Sequence, residues 1–149
     1  SVLETLRVEA GRPAFGVDLD DTTIPTEAGL DVRMVDHGKG CYTGQEVIVR
    51  IRDRGHVNRH LRGLLLGDGG APSPGTELFV EGSPRAVGRV TSVADSPRAG
   101  GMLGLGWIRR EVEVPGEVRL GSPEGRPIGV RALPSGFVPG GSTPRGWAF

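Results

Sequence analysis

The sequence contains little of several residue types that often carry chemistry. Its 149 residues include one cysteine, one tyrosine and two tryptophans, and Lys39 is the only lysine. A single cysteine excludes an intramolecular disulfide, and it cannot by itself hold an iron–sulfur cluster, which usually needs four protein ligands. Any special chemistry at Cys41 must therefore come from a thiol or a thiolate.

Long apolar runs are also missing. No stretch approaches the roughly 18 continuous apolar residues of a membrane span, and the first ten residues lack the basic start and apolar centre of a signal peptide. With the lone cysteine, which suits a reducing compartment, these absences predict a soluble cytoplasmic protein. The chain begins with Ser1, inside a predicted helix, and we expect the natural protein to extend upstream.

Glycine and proline, by contrast, are abundant, with 26 and 12 residues. From residue 61 they form turn clusters such as GDGGAPSPG and DSPRAGG, which separate six short apolar or alternating runs. These runs are LRGLLLG, TELFVEG, VGRVTSVA, GMLGLGWI, EVRL and IGVRAL. The pattern predicts a small antiparallel β-barrel, because closure removes exposed strand edges.

Two short helices are predicted before these strands. Apolar residues at helical spacing predict one over residues 2–10. The second is predicted from Thr43, where T-G-Q-E has the form of a capping box, to Gly55. Its β-branched residues favour a strand instead, but an apolar stripe and the Glu46–Arg50 pair support the helix.

Charge is balanced overall but uneven along the chain. Residues 1–31 hold seven acidic residues and two arginines, a net charge of −5, whereas residues 32–62 hold seven basic and three acidic residues, a net charge of +4. Two interpretations stay open: an internal surface of complementary charge, or a site that attracts an anionic ligand.

The stretch KGCYTGQE, residues 39–46, brings the only lysine, cysteine and tyrosine together. Cys41 precedes the predicted helix start, where free backbone amides and the helix dipole favour an anion, and Lys39 adds a positive charge. Both effects favour a thiolate, which is a nucleophile, a redox-sensitive group or a soft metal ligand. The alternative is that Cys41 is a small buried hydrophobic residue, with Tyr42 packed beside it.

Three histidines could complete a metal site with Cys41: His37, His56 and His60. His56 and His60 lie in an arginine-rich turn, where solvated or phosphate-facing histidines are the better interpretation. We therefore assign no metal ligand.

KGCYTGQE followed by VIVR resembles the motif of the YgfZ-type proteins, which are folate-dependent iron–sulfur cluster assembly and repair factors. That family shares its fold with the T-protein, the aminomethyltransferase of the glycine cleavage system. LRVEAGRPAFGVDLDD, PTEAGL and NRHLRGLLLG resemble further segments of this superfamily, so the resemblance covers residues 3–67.

The resemblance implies an α+β fold of three parts. Residues 1–58 would be the C-terminal part of a T-protein-like folate-binding domain. Residues 59–135 would form the six-stranded antiparallel β-barrel, and residues 136–149 a flexible tail. Family members are considerably longer, and their folate pocket lies between two related halves, of which this chain would supply one.

The resemblance further implies that tetrahydrofolate or a folate derivative binds here. By its place in PTEAGL, Glu27 would bind the pterin, and a carboxylate can accept two parallel hydrogen bonds from the pterin amino group and ring N–H. Arg59 would lie near the folate's carboxylate tail, and Tyr42 is assigned to the same cofactor-binding set. The alternatives are a loop glutamate that caps an amide, and arginines that only solvate a helix face.

Three functions remain as hypotheses. The first is an accessory factor for iron–sulfur cluster assembly or repair, in which Cys41, activated by Lys39, meets an iron–sulfur intermediate, an assembly protein or a client. The second is a folate-dependent aminomethyltransferase-like enzyme, which the cysteine disfavours because T-proteins lack it. The third, a nucleic-acid-binding module, fares worse because aromatic residues and lysine are scarce. No membrane partner is expected.

Overall fold

The computed structural model describes residues 1–30, 34–36 and 38–133. His37 and the predicted tail, residues 136–149, lie outside the described residues. In the described ranges, helix α1 (Val2–Glu9) and helix α2 (Gln45–Arg54) precede six β-strands. No helix in these ranges has the length and apolar content needed to cross a bilayer.

The strands form a closed antiparallel barrel, which confirms the predicted fold class. They are β1 Arg59–Gly67, β2 Glu77–Phe79, β3 Ala86–Ser96, β4 Gly101–Arg109, β5 Gly116–Leu120 and β6 Pro127–Arg131. They pair in the order β1–β4–β3–β2–β5–β6, and β6 closes onto β1. β2 is shorter than the TELFVEG run suggests, because its pairing with β3 shifts register after Leu78 and Val80 is exposed.

Alternating residues of the strands fill the barrel interior. Strand β4 contributes Gly104 and Gly106 there, and leucine side chains of β1 occupy the space beside these glycines. A Cβ at Gly106 would lie 2.8 Å from Leu64 Cδ1, and one at Gly104 would lie 3.1 Å from Leu66 Cδ1. The buried apolar residues of this interior are Leu64, Leu66, Leu78, Val87, Val90, Ile108, Val118, Ile128 and Val130.

Strand β4 is also buried on its outer face. Leu103, Leu105 and Trp107 form a second apolar cluster there, which Val8 of α1 and Ala28 cover. This explains why GMLGLGWI reads as a nearly continuous apolar run and not as a simple alternation. The segment that precedes the barrel therefore shares a hydrophobic cluster with it.

Helix α1 confirms the helix predicted over residues 2–10. Its polar face lies against β3, where Thr5 Oγ1 donates to the Asp95 carbonyl oxygen at 3.0 Å and Ser96 Oγ donates to Glu9 Oε1 at 2.5 Å. Val8 is the helix residue buried on that side, whereas Leu3 and Leu6 are 80% and 55% exposed.

Helix α2 confirms the second predicted helix and its end at Gly55, but the predicted N-cap at Thr43 is wrong. The N-cap is Gly44, whose φ of 86° only glycine adopts easily, and no side chain of the described residues caps the helix. Glu46 therefore does not reach back to the cap. Its Oε1 instead accepts a hydrogen bond from Arg50 Nη2 at 2.8 Å, the predicted pair one turn apart.

Candidate functional site

The PTEAGL segment folds into a tight turn that is fastened to the first barrel strand. Glu27 N donates to the Ile24 carbonyl oxygen at 2.9 Å, and Leu61 N of β1 donates to the Glu27 carbonyl oxygen at 2.9 Å. Gly29, with a φ of 66°, closes the turn in a conformation that suits glycine. The turn thus places the Glu27 side chain beside the start of β1.

Two predicted site residues, Glu27 and Arg59, meet in an ion pair. Arg59 Nη2 and Nε lie 3.2 and 3.3 Å from Glu27 Oε2, and Ile24 N donates to the same oxygen at 3.4 Å. The Glu27 side chain is only 11% exposed, and the Arg59 side chain is 33% exposed. No residue that the structure describes donates a hydrogen bond to Oε1. Glu27 therefore caps a backbone amide, as the alternative interpretation expected, and also forms an ion pair with Arg59.

The Trp107 ring packs against the guanidinium group of Arg59. The guanidinium carbon of Arg59 lies 4.4 Å from the centroid of the Trp107 ring, which is a cation–π arrangement. The indole Nε1 donates to the Asp18 carbonyl oxygen at 2.9 Å, so the ring has a fixed orientation. Trp107, which the sequence did not single out, therefore completes the cluster that we call the Glu27–Arg59–Trp107 cluster.

Asp18 is the centre of a buried polar network behind this cluster. Its side chain is 0% exposed, and Arg7 Nη1 donates to its Oδ2 at 2.6 Å. Ala14 N also donates to Oδ2, while the hydroxyls of Thr91 and Ser92 donate to Oδ1 at 2.5 and 2.7 Å. All four carboxylate contacts are therefore charge-assisted, and they tie the 14–18 loop to α1 and to β3.

Arg7 is shared between two carboxylates. The hydrogen bond with Glu4, followed by the contact with Asp18, raises the pKa of Arg7, and the hydrogen bond with Arg7 lowers the pKa of Glu4. Arg7 and Asp18 both lie in the segment LRVEAGRPAFGVDLDD. The sequence did not indicate that Asp18 is the buried residue, because the acidic residues beside it look the same.

The KGCY cluster, residues 39–42, decides between the two interpretations of Cys41 only in its exposure. Cys41 is a free, exposed cysteine, so the alternative of a buried hydrophobic residue does not hold. Lys39 Nζ lies 5.0 Å from the centroid of the Tyr42 ring. The Tyr42 hydroxyl is buried and has no hydrogen-bond partner among the described residues.

The structure joins the predicted site residues in two separate groups. Glu27 contacts Arg59, and Lys39 contacts Tyr42. Within the described ranges, no hydrogen bond, ion pair or ring contact connects one group with the other. The roles assigned to Cys41, Lys39 and Tyr42 therefore stay predictions.

The basic stretch that follows has mixed environments. Burial and the charge of Arg62 lower the pKa of His60, which nearby Glu27 partly offsets. Burial also lowers the pKa of Arg62. His56 is exposed, and among residues 1–30, 34–36 and 38–133 no group of three His, Cys, Asp or Glu side chains could hold a metal ion.

Residues 59–138 match the family model of the glycine cleavage T-protein C-terminal barrel domain, which is more than half of the chain. The chain belongs to this T-protein barrel family. The aminomethyltransferase of Rubrobacter xylanophilus is 36% identical over 134 residues, which are 90% of this chain and 34% of the relative. A putative chloroplastic transferase of Arabidopsis thaliana, At1g60990, is 38% identical over 109 residues, which are 72% of this chain and 24% of the relative.

A solved structure agrees with these T-protein relatives. The crystal structure of the glycine cleavage system aminomethyltransferase T from Bartonella henselae superposes with a TM-score of 0.75 at 26% identity. The match covers 87% of this chain and 37% of that structure. This chain thus spans only about a quarter to slightly more than a third of the length of these relatives. The superfamily part of the sequence resemblance is confirmed.

Proposed function

We propose that this chain binds tetrahydrofolate, or a folate derivative, at the Glu27–Arg59–Trp107 cluster. We further propose that it acts through Cys41 as an accessory factor for iron–sulfur cluster assembly or repair. The observation that carries the folate part is the buried Glu27 carboxylate. Its Oε2 holds Arg59 and a backbone amide, while its Oε1 accepts no hydrogen bond from the residues that the structure describes and could meet a ligand.

The chemistry of these side chains fits a folate. A carboxylate accepts from the amino group and ring N–H of a pterin, and a guanidinium binds carboxylates such as those of the folate tail. When bound, tetrahydrofolate would supply the nitrogen atoms that carry one-carbon units, while this chain would bind and orient it. A ligand that uses both oxygens of Glu27 has to displace Arg59. The ion pair therefore balances the buried carboxylate in the free protein.

The accessory role is supported by the exposure of Cys41. An exposed thiol can reach an iron–sulfur intermediate, an assembly protein or a client protein, whereas a buried one cannot. The adjacent Lys39 ammonium keeps a positive charge within the same four residues, above the Tyr42 ring. This positive charge would favour an anionic partner, and an iron–sulfur cluster with thiolate ligands is an anion.

A second candidate is an aminomethyltransferase-like activity. The family membership and the names of the relatives favour it. It would use the same folate-binding residues, and it does not need Cys41. The two candidates therefore share one site and differ in the role of a single side chain.

Titration of the chain with tetrahydrofolate tests the shared part. Glu27→Gln keeps the shape of the side chain and removes its charge, so it loses a charge-assisted hydrogen bond. We expect binding to weaken by about 10- to 100-fold. Glu117→Gln, at an exposed position of β5, is the matched control and should bind like the wild type. Equal affinities of the Glu27→Gln and wild-type proteins would contradict the proposed site.

Cys41→Ser distinguishes the two candidates. In cells whose iron–sulfur enzymes depend on this protein, we expect Cys41→Ser to abolish that support while folate binding is retained. Thr43→Ser, two residues further on and also exposed, is the control. Unimpaired support by Cys41→Ser, together with turnover of tetrahydrofolate and an aminomethyl donor, would replace the accessory role by the second candidate.

A further inference from the structure

The turn that follows β1 contains the dipeptide Asp68–Gly69. Of the eight aspartates in the chain, Asp68 is the only one that glycine follows. An aspartyl residue before glycine can close a succinimide ring, because glycine has no Cβ to hinder the approach of its nitrogen to the side-chain carboxyl carbon. Both residues are exposed, so water reaches this dipeptide in the folded protein.

Neither of the two groups that would react is engaged in another contact. Within the described ranges, no hydrogen bond or ion pair joins the Asp68 carboxylate to another residue, and the Gly69 N–H donates to no backbone acceptor. Asp18 and Asp20, by contrast, each accept several hydrogen bonds that hold their carboxylates in place. The Asp68 carboxyl group is therefore free to turn toward the nitrogen of Gly69.

Arg126, the residue before β6, holds this turn from both sides. Its Nη1 donates to the Leu66 carbonyl oxygen, and its Nη2 donates to the Gly70 carbonyl oxygen at 2.9 Å. The guanidinium group also packs against Gly69, where a Cβ would lie 2.6 Å from the guanidinium carbon. Ring closure requires rotation of the main chain between Asp68 and Gly69. The two hydrogen bonds resist that rotation because they fix the carbonyl groups before and after it.

We propose that Asp68 isomerises to isoaspartate in the folded protein and that Arg126 limits the rate. The amide nitrogen of Gly69 attacks the side-chain carboxyl carbon of Asp68. A C–N bond forms, the C–O bond to the hydroxyl breaks, and the hydroxyl leaves with the amide proton as water. A water molecule then opens the succinimide. Cleavage of the bond between the nitrogen and the side-chain carbon restores aspartate, whereas cleavage of the bond between the nitrogen and the main-chain carbonyl carbon gives isoaspartate.

The product would alter the end of β1 that lies away from the Glu27–Arg59–Trp107 cluster. Arg59 is the first residue of β1, whereas Asp68 follows its last residue. Isoaspartate adds the Cβ atom to the main chain, which moves the Gly70 carbonyl oxygen away from Arg126. It also frees an α-carboxylate, the group that isoaspartyl-specific methyltransferases esterify with S-adenosylmethionine. An enzyme of this class is the expected partner, and the inference does not depend on folate binding.

The folded 149-residue chain is aged at neutral pH, below its unfolding temperature, and isoaspartate is measured over time. An isoaspartyl methyltransferase with labelled S-adenosylmethionine marks the product, and peptide mapping locates it. We expect the label in the peptide that contains Asp68. Arg126→Gln should accumulate isoaspartate about tenfold faster, because it loses two hydrogen bonds from a charged donor. Arg119→Gln, which loses the pair with Glu81 on β5, is the matched control and should age like the wild type. Asp68→Glu should stay unlabelled, because its larger ring closes far more slowly.

A sample unfolded in guanidinium chloride supplies the unrestrained rate, and circular dichroism shows whether each variant is folded. We expect the unfolded chain to react faster than either folded protein. Absence of isoaspartate from the folded wild type, or its appearance only at other aspartates, would overturn the inference. Equal rates in the wild type and in folded Arg126→Gln would overturn the role of Arg126. If Arg126→Gln does not fold, the comparison of folded and unfolded wild type decides the same point, because equal rates there would show that the folded turn is not restrained.

Discussion

Replacement of Asp18 should destabilise the protein far more than replacement of the other acidic partner of Arg7. Asp18 is fully buried and accepts four hydrogen bonds, whereas the Glu4 side chain is 43% exposed and contacts the same guanidinium at 2.5 Å. The two carboxylates thus differ in burial while they share one arginine. This makes Glu4→Gln a matched control.

The expected magnitudes follow from what each substitution leaves unpaired. Asp18→Leu removes every acceptor and leaves Arg7, Ala14 N and two hydroxyls without their partner, so we expect a loss of about 3–5 kcal/mol. Asp18→Asn can still accept from Arg7 and Ala14 N with its amide oxygen, and the hydroxyls can rotate, so the loss should be about 1.5–3 kcal/mol. Glu4→Gln should cost no more than about 1 kcal/mol.

Urea unfolding followed by far-ultraviolet circular dichroism measures this order. With a denaturant dependence of roughly 2 kcal/mol per molar urea, Asp18→Leu should lower the unfolding midpoint by roughly 2 M, and Glu4→Gln by roughly 0.5 M or less. A total stability of about 5–15 kcal/mol is typical, so Asp18→Leu should lose a large part of it. Midpoints of the Asp18→Leu and Glu4→Gln proteins that differ by less than about 0.5 M would refute the assignment of Asp18 as the buried centre.

Two further perturbations test the barrel and its pH dependence. Gly88→Ala should lower the free energy of unfolding in urea by about 1–3 kcal/mol or more, because a Cβ there would overlap the Trp107 carbonyl oxygen and push β3 from β4. Gly40→Ala, where a Cβ would meet no atom, is the control and should change that free energy by less than about 0.5 kcal/mol. Burial, with the charge of Arg62, lowers the pKa of His60 below its ordinary value of 6.5, so on acidification the unfolded chain takes up a proton that the folded chain does not. Stability should therefore fall as the pH drops through and below that value, and His60→Gln should lose less stability than the wild type between about pH 7 and about pH 5 in the same assay; equal losses would contradict it.

The barrel could be predicted because its signals are local. Turn clusters and short apolar runs identify strands without any knowledge of their partners. The strand order could not be read in the same way, since β1 pairs with β4 and β6, which lie far along the chain. Nor did the sequence indicate that α1 covers the outer face of β4, because Val8 lies beside exposed apolar residues that fit a helical stripe equally well.

The start of α2 shows how a local rule can fail by one residue. T-G-Q-E has the composition of a capping box, but the glycine inside it can adopt a left-handed conformation at no steric cost. Gly44 does so and becomes the N-cap, which removes Thr43 from the first turn and leaves Glu46 to pair with Arg50. The helix itself was predicted correctly because its apolar residues and the Glu46–Arg50 pair follow helical spacing.

The candidate site was predictable as residue types and not as contacts. Glu27 and Arg59 were each assigned to a folate on their own, and their ion pair spans 32 positions of sequence. Trp107 entered the sequence analysis only as part of a strand, because a tryptophan in an apolar run gives no sign of the arginine above it or of the carbonyl that fixes its indole N–H. Such contacts depend on the closed barrel and on the 14–18 loop.

Trp107 connects the candidate site with the stability of the fold. One edge of its ring is held by the Asp18 carbonyl, and its face supports Arg59, which in turn holds Glu27. The polar network that anchors Asp18 therefore also sets the position of the carboxylate that would meet a pterin. Cys41 has no such connection in the described ranges, so its thiol chemistry can change without disturbing the Glu27–Arg59–Trp107 cluster. For this reason folate affinity and a Cys41-dependent activity should respond to different substitutions, even though both would belong to one function.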